Sequence, residues 1–198
     1  KVARDTDILA NTGYANVVEF AKARYGLDKT QVSRFIHIND RFSEGGNSAE
    51  LQDRYKGMGY AKLTIMLQLP DEINEEISAD FSKSEIEDIK KEIDEENKIS
   101  DIEVWMEGTQ EDAEKYNELG QVMYQLLHDM PELFTKIAQS SIETEELMNI
   151  LAPSGEMIYS VRIPGTGRLM LSIKINTGRI TITNVRSMEK TEWNIEDL

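Results

Sequence analysis

A cluster of polar and basic residues between positions 29 and 41 has the composition of a surface that contacts nucleic acid. Lysine and arginine pair with phosphates, arginine can also donate two parallel hydrogen bonds to guanine, and glutamine can pair with adenine. At 100° per residue, four of these side chains share one face of a helix, and two more flank them. The sequence therefore predicts a DNA-contacting helical face, with Arg34 reaching a guanine. The set is Lys29, Thr30, Gln31, Ser33, Arg34, His37 and Arg41.

The other chemically active residues form no pattern that predicts catalysis, a cofactor or a metal site. The chain has no cysteine, and its two histidines, His37 and His128, lie far apart in sequence. The PGTG stretch at 164–167 is interpreted as a hairpin turn because no helix follows it. Carboxylate pairs such as Glu95–Glu96 are expected on exposed helix faces. The interpretation is a non-enzymatic protein without cofactor or metal.

Two short helices separated by a glycine are predicted to position the DNA-contacting face. The stretch NVVEFAKARYG (16–26) has helical spacing and ends at Gly26, and Asp28 can cap a second helix over 29–42. Together they form a helix-turn-helix pattern. Lys56 and Lys62 are predicted to extend the phosphate-contacting rim, with a role in surface solubility as the equal alternative.

The rest of the chain predicts a multi-domain protein of class α and α+β. Helices follow through residue 98, including one started by Asn47 and Glu50, and complete an all-α helix-turn-helix bundle over 1–98. Residues 99–112 have no periodicity and are assigned as a linker. Over 113–198, helical spacing gives way to alternation of period two after Met157, which predicts a small α+β domain with a three-stranded antiparallel meander.

Charge is unevenly distributed along this chain of formal net charge −15. Residues 1–62 carry 10 lysines and arginines against 8 carboxylates, whereas residues 63–119 carry 5 against 19. Because charges are screened beyond about 8–10 Å at ordinary salt, the N-terminal part can still dock on DNA. No apolar run approaches the length of a membrane span, and with no cysteine the expected location is cytoplasmic, associated with the nucleoid.

Three stretches in order resemble the DNA-binding domain of ParB/KorB-type partition proteins, over residues 16–97. They are FAKARYGLDKTQVSRFIHIN, YKGMGYAKLTIMLQLPDE and SKSEIEDIKKEI. The resemblance implies a sequence-specific regulator, or a partition and maintenance factor, of a bacterial plasmid or other mobile element. The arginine-rich nucleotide motif of partition proteins is not present, so CTP-driven clamping is not implied. The C-terminal half resembles no family.

Partners follow from this interpretation. One recognition helix reads only a few base pairs, so double-stranded DNA would be bound by a homodimer, and the C-terminal domain is the expected place for dimerisation or for a protein partner. The alternative from another class is a protein–protein interaction scaffold that uses the acidic helical face of residues 71–114. Binding of random duplex that weakens steeply with salt distinguishes the two.

Overall fold

The computed structural model describes residues 9, 12–100, 104, 116–140 and 144–198, and the chain divides into two compact units, 1–87 and 88–198. Among the described residues the helices are α1 (Val17–Tyr25), α2 (Lys29–Phe42), α3 (Gly59–Met66), α4 (Asp71–Asn74), α5 (Lys83–Glu96), α6 (Glu118–Asp129), α7 (Pro131–Ala138) and α8 (Thr144–Leu151). The strands are β1 (Glu156–Ile163), β2 (Gly167–Lys174), β3 (Arg179–Asn184) and β4 (Lys190–Asn194). The mixed α and α+β class is confirmed.

The start of the first unit is defined by strong local capping signals. Asn16 accepts hydrogen bonds from two backbone N–H groups at the start of α1, and Gly26 ends this helix in the left-handed conformation at φ 69°. Asp28 and Gln31 form a reciprocal capping box at the start of α2. Both helices therefore begin and end where the sequence predicts.

The segment after α2 departs from its prediction. Instead of a helix from Asn47, an antiparallel bridge joins Ser43 to Leu51 and closes a loop. Gly45 and Gly46 have φ values of 61° and 68° and reverse the chain inside this loop, a conformation that only glycine adopts at little cost. Residues 47–52 therefore form loop and bridge, and the segment predicted as a helix contains only the short 3-10 turn Asp53–Tyr55.

The second unit is built on an antiparallel sheet of strand order β1-β2-β3-β4. The prediction of three strands is wrong, because Lys190–Asn194 adds a fourth strand against β3. One face of the sheet packs on α6, α7 and α8, with Leu126, Leu151 and Leu171 among the buried residues of this core. Tyr159, at the edge of the core, donates a hydrogen bond to the Leu151 carbonyl, and its burial raises the pKa of the phenol.

The opposite face of the sheet is polar and contacts the part of α5 that belongs to the second unit. Glu96 is fully buried there, bound by Arg162 and Arg186. The prediction that Glu96 lies on an exposed helix face is therefore wrong.

The predicted domain boundaries, 1–98 and 113–198, stay predictions. The compact units divide between residues 87 and 88, inside α5. Most of the predicted linker, 99–112, lies outside the described residues.

Candidate nucleic-acid interface

The candidate interface is the exposed face of α2 in the first unit. Val32, Ile38 and Phe42 bury the opposite side of this helix, and Val32 retains only 4% of its accessible surface. A buried side anchors the helix, so its outer side chains are held in defined positions. The exposed predicted residues on α2 are Lys29, Thr30, Gln31, Ser33, Arg34 and His37.

Five of these residues, all except Gln31, lie on one side of α2 at 100° per residue, and this side is called the ridge. From Lys29 to His37 the ridge is about 12 Å long, at 1.5 Å per residue. Among the described residues, Lys29, Arg34 and His37 have no hydrogen-bond or ion-pair partner, so their donors are available to a ligand. Asp40 is the single carboxylate in the sequence of α2, and it lies toward the far end of the helix.

Gln31 has a structural role as well as an exposed position. Its backbone N–H donates to the Asp28 carboxylate at 2.8 Å, and its side-chain oxygen accepts from the Asp28 N–H at 3.0 Å. The amide oxygen is therefore used in capping, while the two amide N–H donors are not engaged by this pair. Bidentate pairing with adenine needs both groups, so in this rotamer it would have to use the second lone pair of the amide oxygen.

The guanidinium of Arg41 is bound by other residues of the first unit and therefore does not contribute to the ridge. Its guanidinium donates to the backbone carbonyls of Met66, Leu67 and Leu69 and makes two hydrogen bonds to the Asp71 carboxylate, at 2.6–3.1 Å. These five bonds use all five N–H donors of the side chain. Arg41 thus binds carbonyls at and after the end of α3 and has no donor left for phosphate.

Lys56 and Lys62 lie on later segments, and each has a partner. Lys56 forms an exposed ion pair with Asp53 at 2.6 Å, and the hydrogen bond that its ammonium group donates to this carboxylate is the main cause that raises the pKa of Lys56. Lys62 donates to the Ala79 carbonyl at 2.8 Å. An exposed ion pair is worth little in water, so phosphate can displace Asp53 more readily than it can displace the partners of Arg41.

The densest ion cluster of the described residues lies in the second unit and was missed by the sequence interpretation. Arg168 binds Glu92 and approaches Glu96 to 3.8 Å, and the Arg186 Nε lies 2.7 Å from the Glu96 carboxylate. Two signals point to it. Glu96 continues the buried stripe of Ile89 and Ile93, and the hairpin register places Arg162 directly opposite Arg168, a like-charge pair that requires a carboxylate nearby.

That cluster is structural rather than a ligand site. Its arginines pair with carboxylates or with backbone carbonyls, and Arg186 donates hydrogen bonds to the backbone carbonyls of Glu96 and Ile99. Among the described residues no group of three or more histidines and carboxylates has the geometry to hold a metal ion. No helix in the same part of the chain has both the length and the apolar character needed to cross a bilayer.

Comparison with protein-family models, with curated proteins and with solved structures finds no match to this chain. The resemblance of residues 16–97 to ParB/KorB-type proteins therefore stays a prediction. The proposed function is therefore based on the geometry of the first unit.

Proposed function

We propose that the protein binds double-stranded DNA sequence-specifically through the exposed ridge of α2, without catalysing a reaction. The observation that carries the proposal is the ridge itself. Lys29, Arg34 and His37 are exposed, lack partners among the described residues, and lie on a helix that is capped at its start and anchored by a buried side. Such a ridge has the size and the chemistry to enter the major groove, which admits an α-helix.

Each residue of the ridge has a distinct role in this proposal. Lys29 contacts a phosphate through its ammonium group, because the Asp28 carboxylate already caps the start of α2. Thr30 and Ser33 donate hydrogen bonds to phosphate oxygens. Arg34 reads a guanine through two parallel hydrogen bonds, and His37 contacts the backbone one turn later.

The preceding helix-turn supports this geometry. α1 and α2 are separated only by residues 26–28, and Gly26 supplies the left-handed conformation that a tight turn needs. We assign α1–turn–α2 as the helix-turn-helix of the proposal, with α2 in the groove.

A single ridge of this length reads only a few base pairs, so specific binding requires two copies on half-sites about 34–36 Å apart. The second unit offers a surface for pairing, since β1 and β4 are the outer strands of its sheet. We propose regulation or maintenance of a plasmid or other mobile element as the biological role, in keeping with the resemblance of the N-terminal stretches.

The proposal is tested by selection of random duplex oligonucleotides with the full chain, followed by affinity measurements on the selected site. Arg34→Ala should cost about 1–3 kcal/mol of binding, or roughly 5- to 150-fold in Kd, because it removes a bidentate contact. Lys136→Ala is the matched control, since Lys136 is an exposed cation of the second unit. Selection without a consensus, or equal losses in both variants, would overturn the proposal.

A further inference from the structure

An apolar groove runs between α1 and α2, on the side of α2 away from the proposed DNA-contacting ridge. It has a volume of about 380 Å³. Its lining includes Val17, Phe20, Tyr25, Val32, Phe35 and Ile36. Pockets of this size with mostly apolar walls are the usual form of sites that receive ligands or the side chains of a partner.

The groove leaves aromatic surface exposed, although its rings also have partners within the fold: the Phe35 ring lies 4.7 Å from that of Tyr60, and the Tyr25 ring 6.0 Å from that of Phe20. Phe35 points from the buried side of α2, at an angular position between the buried residues Val32 and Ile38, and yet it is 45% exposed. Tyr25, at the end of α1, is 69% exposed. Each large side chain left in water forgoes the stabilisation of burial, so a cluster of them beside a groove marks a binding surface.

Two cations lie on the same helical stripes as the groove, at the end where the turn at 26–28 joins α1 to α2, called here the closed end. Arg24 follows Phe20 by one turn of α1, and Lys29 precedes Val32 by one turn of α2, so both flank the turn at 26–28. Both are exposed and have no ion-pair partner among the described residues. The nearby Asp28 carboxylate caps α2 and keeps its negative charge, so it offsets part of this positive charge. Two cations against one carboxylate leave this end of the groove with a net positive charge.

We propose that the groove docks an amphipathic helix of a partner protein, whose apolar side chains enter the groove and whose carboxylates face Arg24 and Lys29. This is the helix-in-groove mode of recognition, in which residues spaced by three and four anchor one face of a helix. The charge at the closed end selects an acidic partner over a basic one.

The size of the groove favours a single helix over a second copy of the chain. α1 has nine residues, so the groove is about 13 Å long at 1.5 Å per residue. A stable dimer interface buries about 800 Å² on each partner, which a groove of this length does not supply. Docking here leaves Arg34 and His37 of the ridge free, and Lys29 is the one ridge residue that both proposals use.

The test uses a phage-displayed library of helices of about 18 residues, with one stripe varied among Leu, Ile, Phe and Met and the flanks varied among Glu, Gln and Lys. The full chain is the target. Selected sequences should carry glutamate in the flanks, and their Kd, measured by fluorescence anisotropy, should rise at least tenfold with Phe35→Glu. Tyr25→Glu is the second variant, and Tyr124→Glu is the matched control at a 47% exposed tyrosine of the second unit.

Circular dichroism of each variant separates loss of binding from loss of folding. Tyr25 is the more exposed of the two aromatics, so Tyr25→Glu reports on the groove even if Phe35→Glu fails to fold. The proposal is overturned if no acidic helix is enriched, or if selected helices bind both groove variants as well as the parent. It is also overturned if the groove variants abolish a dimer, because the occupant is then a second copy. DNA binding should be unchanged in Tyr25→Glu, so the two proposals fail independently.

Discussion

Two arginines of α2 have different environments because different groups lie beside each side chain. Arg34 and Arg41 are both on α2, seven residues apart, and the sequence assigned both to DNA. Arg41 binds backbone carbonyls at and after the end of α3 and the Asp71 carboxylate, whereas Arg34 has no hydrogen-bond or ion-pair partner among the described residues. Periodicity could predict the helix and its outer face. It could not predict Arg41's partners, since they come from a segment about 25–30 residues away.

Glu96 is the residue whose replacement should affect the second unit most strongly. Glu96→Gln removes the charge that neutralises Arg162 and Arg186, and breaking a buried ion pair from one side costs about 3–5 kcal/mol. The free energy of unfolding should fall by about that amount in urea denaturation. Tryptophan fluorescence reports on this unit, because both tryptophans of the chain lie beyond residue 88.

Glu95→Gln is the matched control for that measurement. Glu95 is the adjacent residue on α5, and its carboxylate is exposed and 3.9 Å from Lys91. Its replacement should change stability by less than about 0.5 kcal/mol, as for other exposed ion pairs. Equal effects of the two substitutions would show that the Glu96 cluster does not stabilise the unit.

At the scale of elements, prediction succeeded where one face of an element is apolar and its ends carry local signals. α1, α2 and the first three strands have both features. β4 was missed because its sequence, KTEWN, has one apolar residue, and as an outer strand it pairs with β3 alone. The position of β4 depends on backbone hydrogen bonds to β3, which the periodicity of side chains does not reveal.

The loop after α2 contains two adjacent glycines, and we expect their replacement by alanine to lower stability by different amounts. Both have positive φ, so alanine at either position costs about 1–2 kcal/mol of backbone strain. At Gly46 an added Cβ would also lie 2.9 Å from the Asp40 carbonyl oxygen, whereas at Gly45 it would meet open space. Gly46→Ala should therefore destabilise the first unit clearly more than Gly45→Ala.

Hydrogen exchange of the α2 amides measures that difference within the first unit. Asp40 belongs to the last turn of α2, so a shift of its carbonyl should lower protection of this helix end first. Equal protection in the two variants would contradict the close approach of Gly46 to Asp40.

At the scale of the whole molecule, the two functions inferred from the sequence depend on different parts of the charge distribution. The formal net charge of −15 would repel DNA if it were uniform, but most of it belongs to residues 63–119. The ridge of α2 includes Lys29 and Arg34, and screening limits each charge to about 8–10 Å. DNA binding by the ridge is thus compatible with an acidic chain, at lower affinity than for a basic protein.

The salt dependence of binding tests this account most directly. Retardation of random-sequence duplex by the full chain should be measurable at low salt, and the logarithm of the binding constant should fall linearly with that of salt concentration. For two to four phosphate contacts the slope is about −2 to −4. An absence of retardation at every salt concentration would contradict the account and favour the acidic scaffold instead.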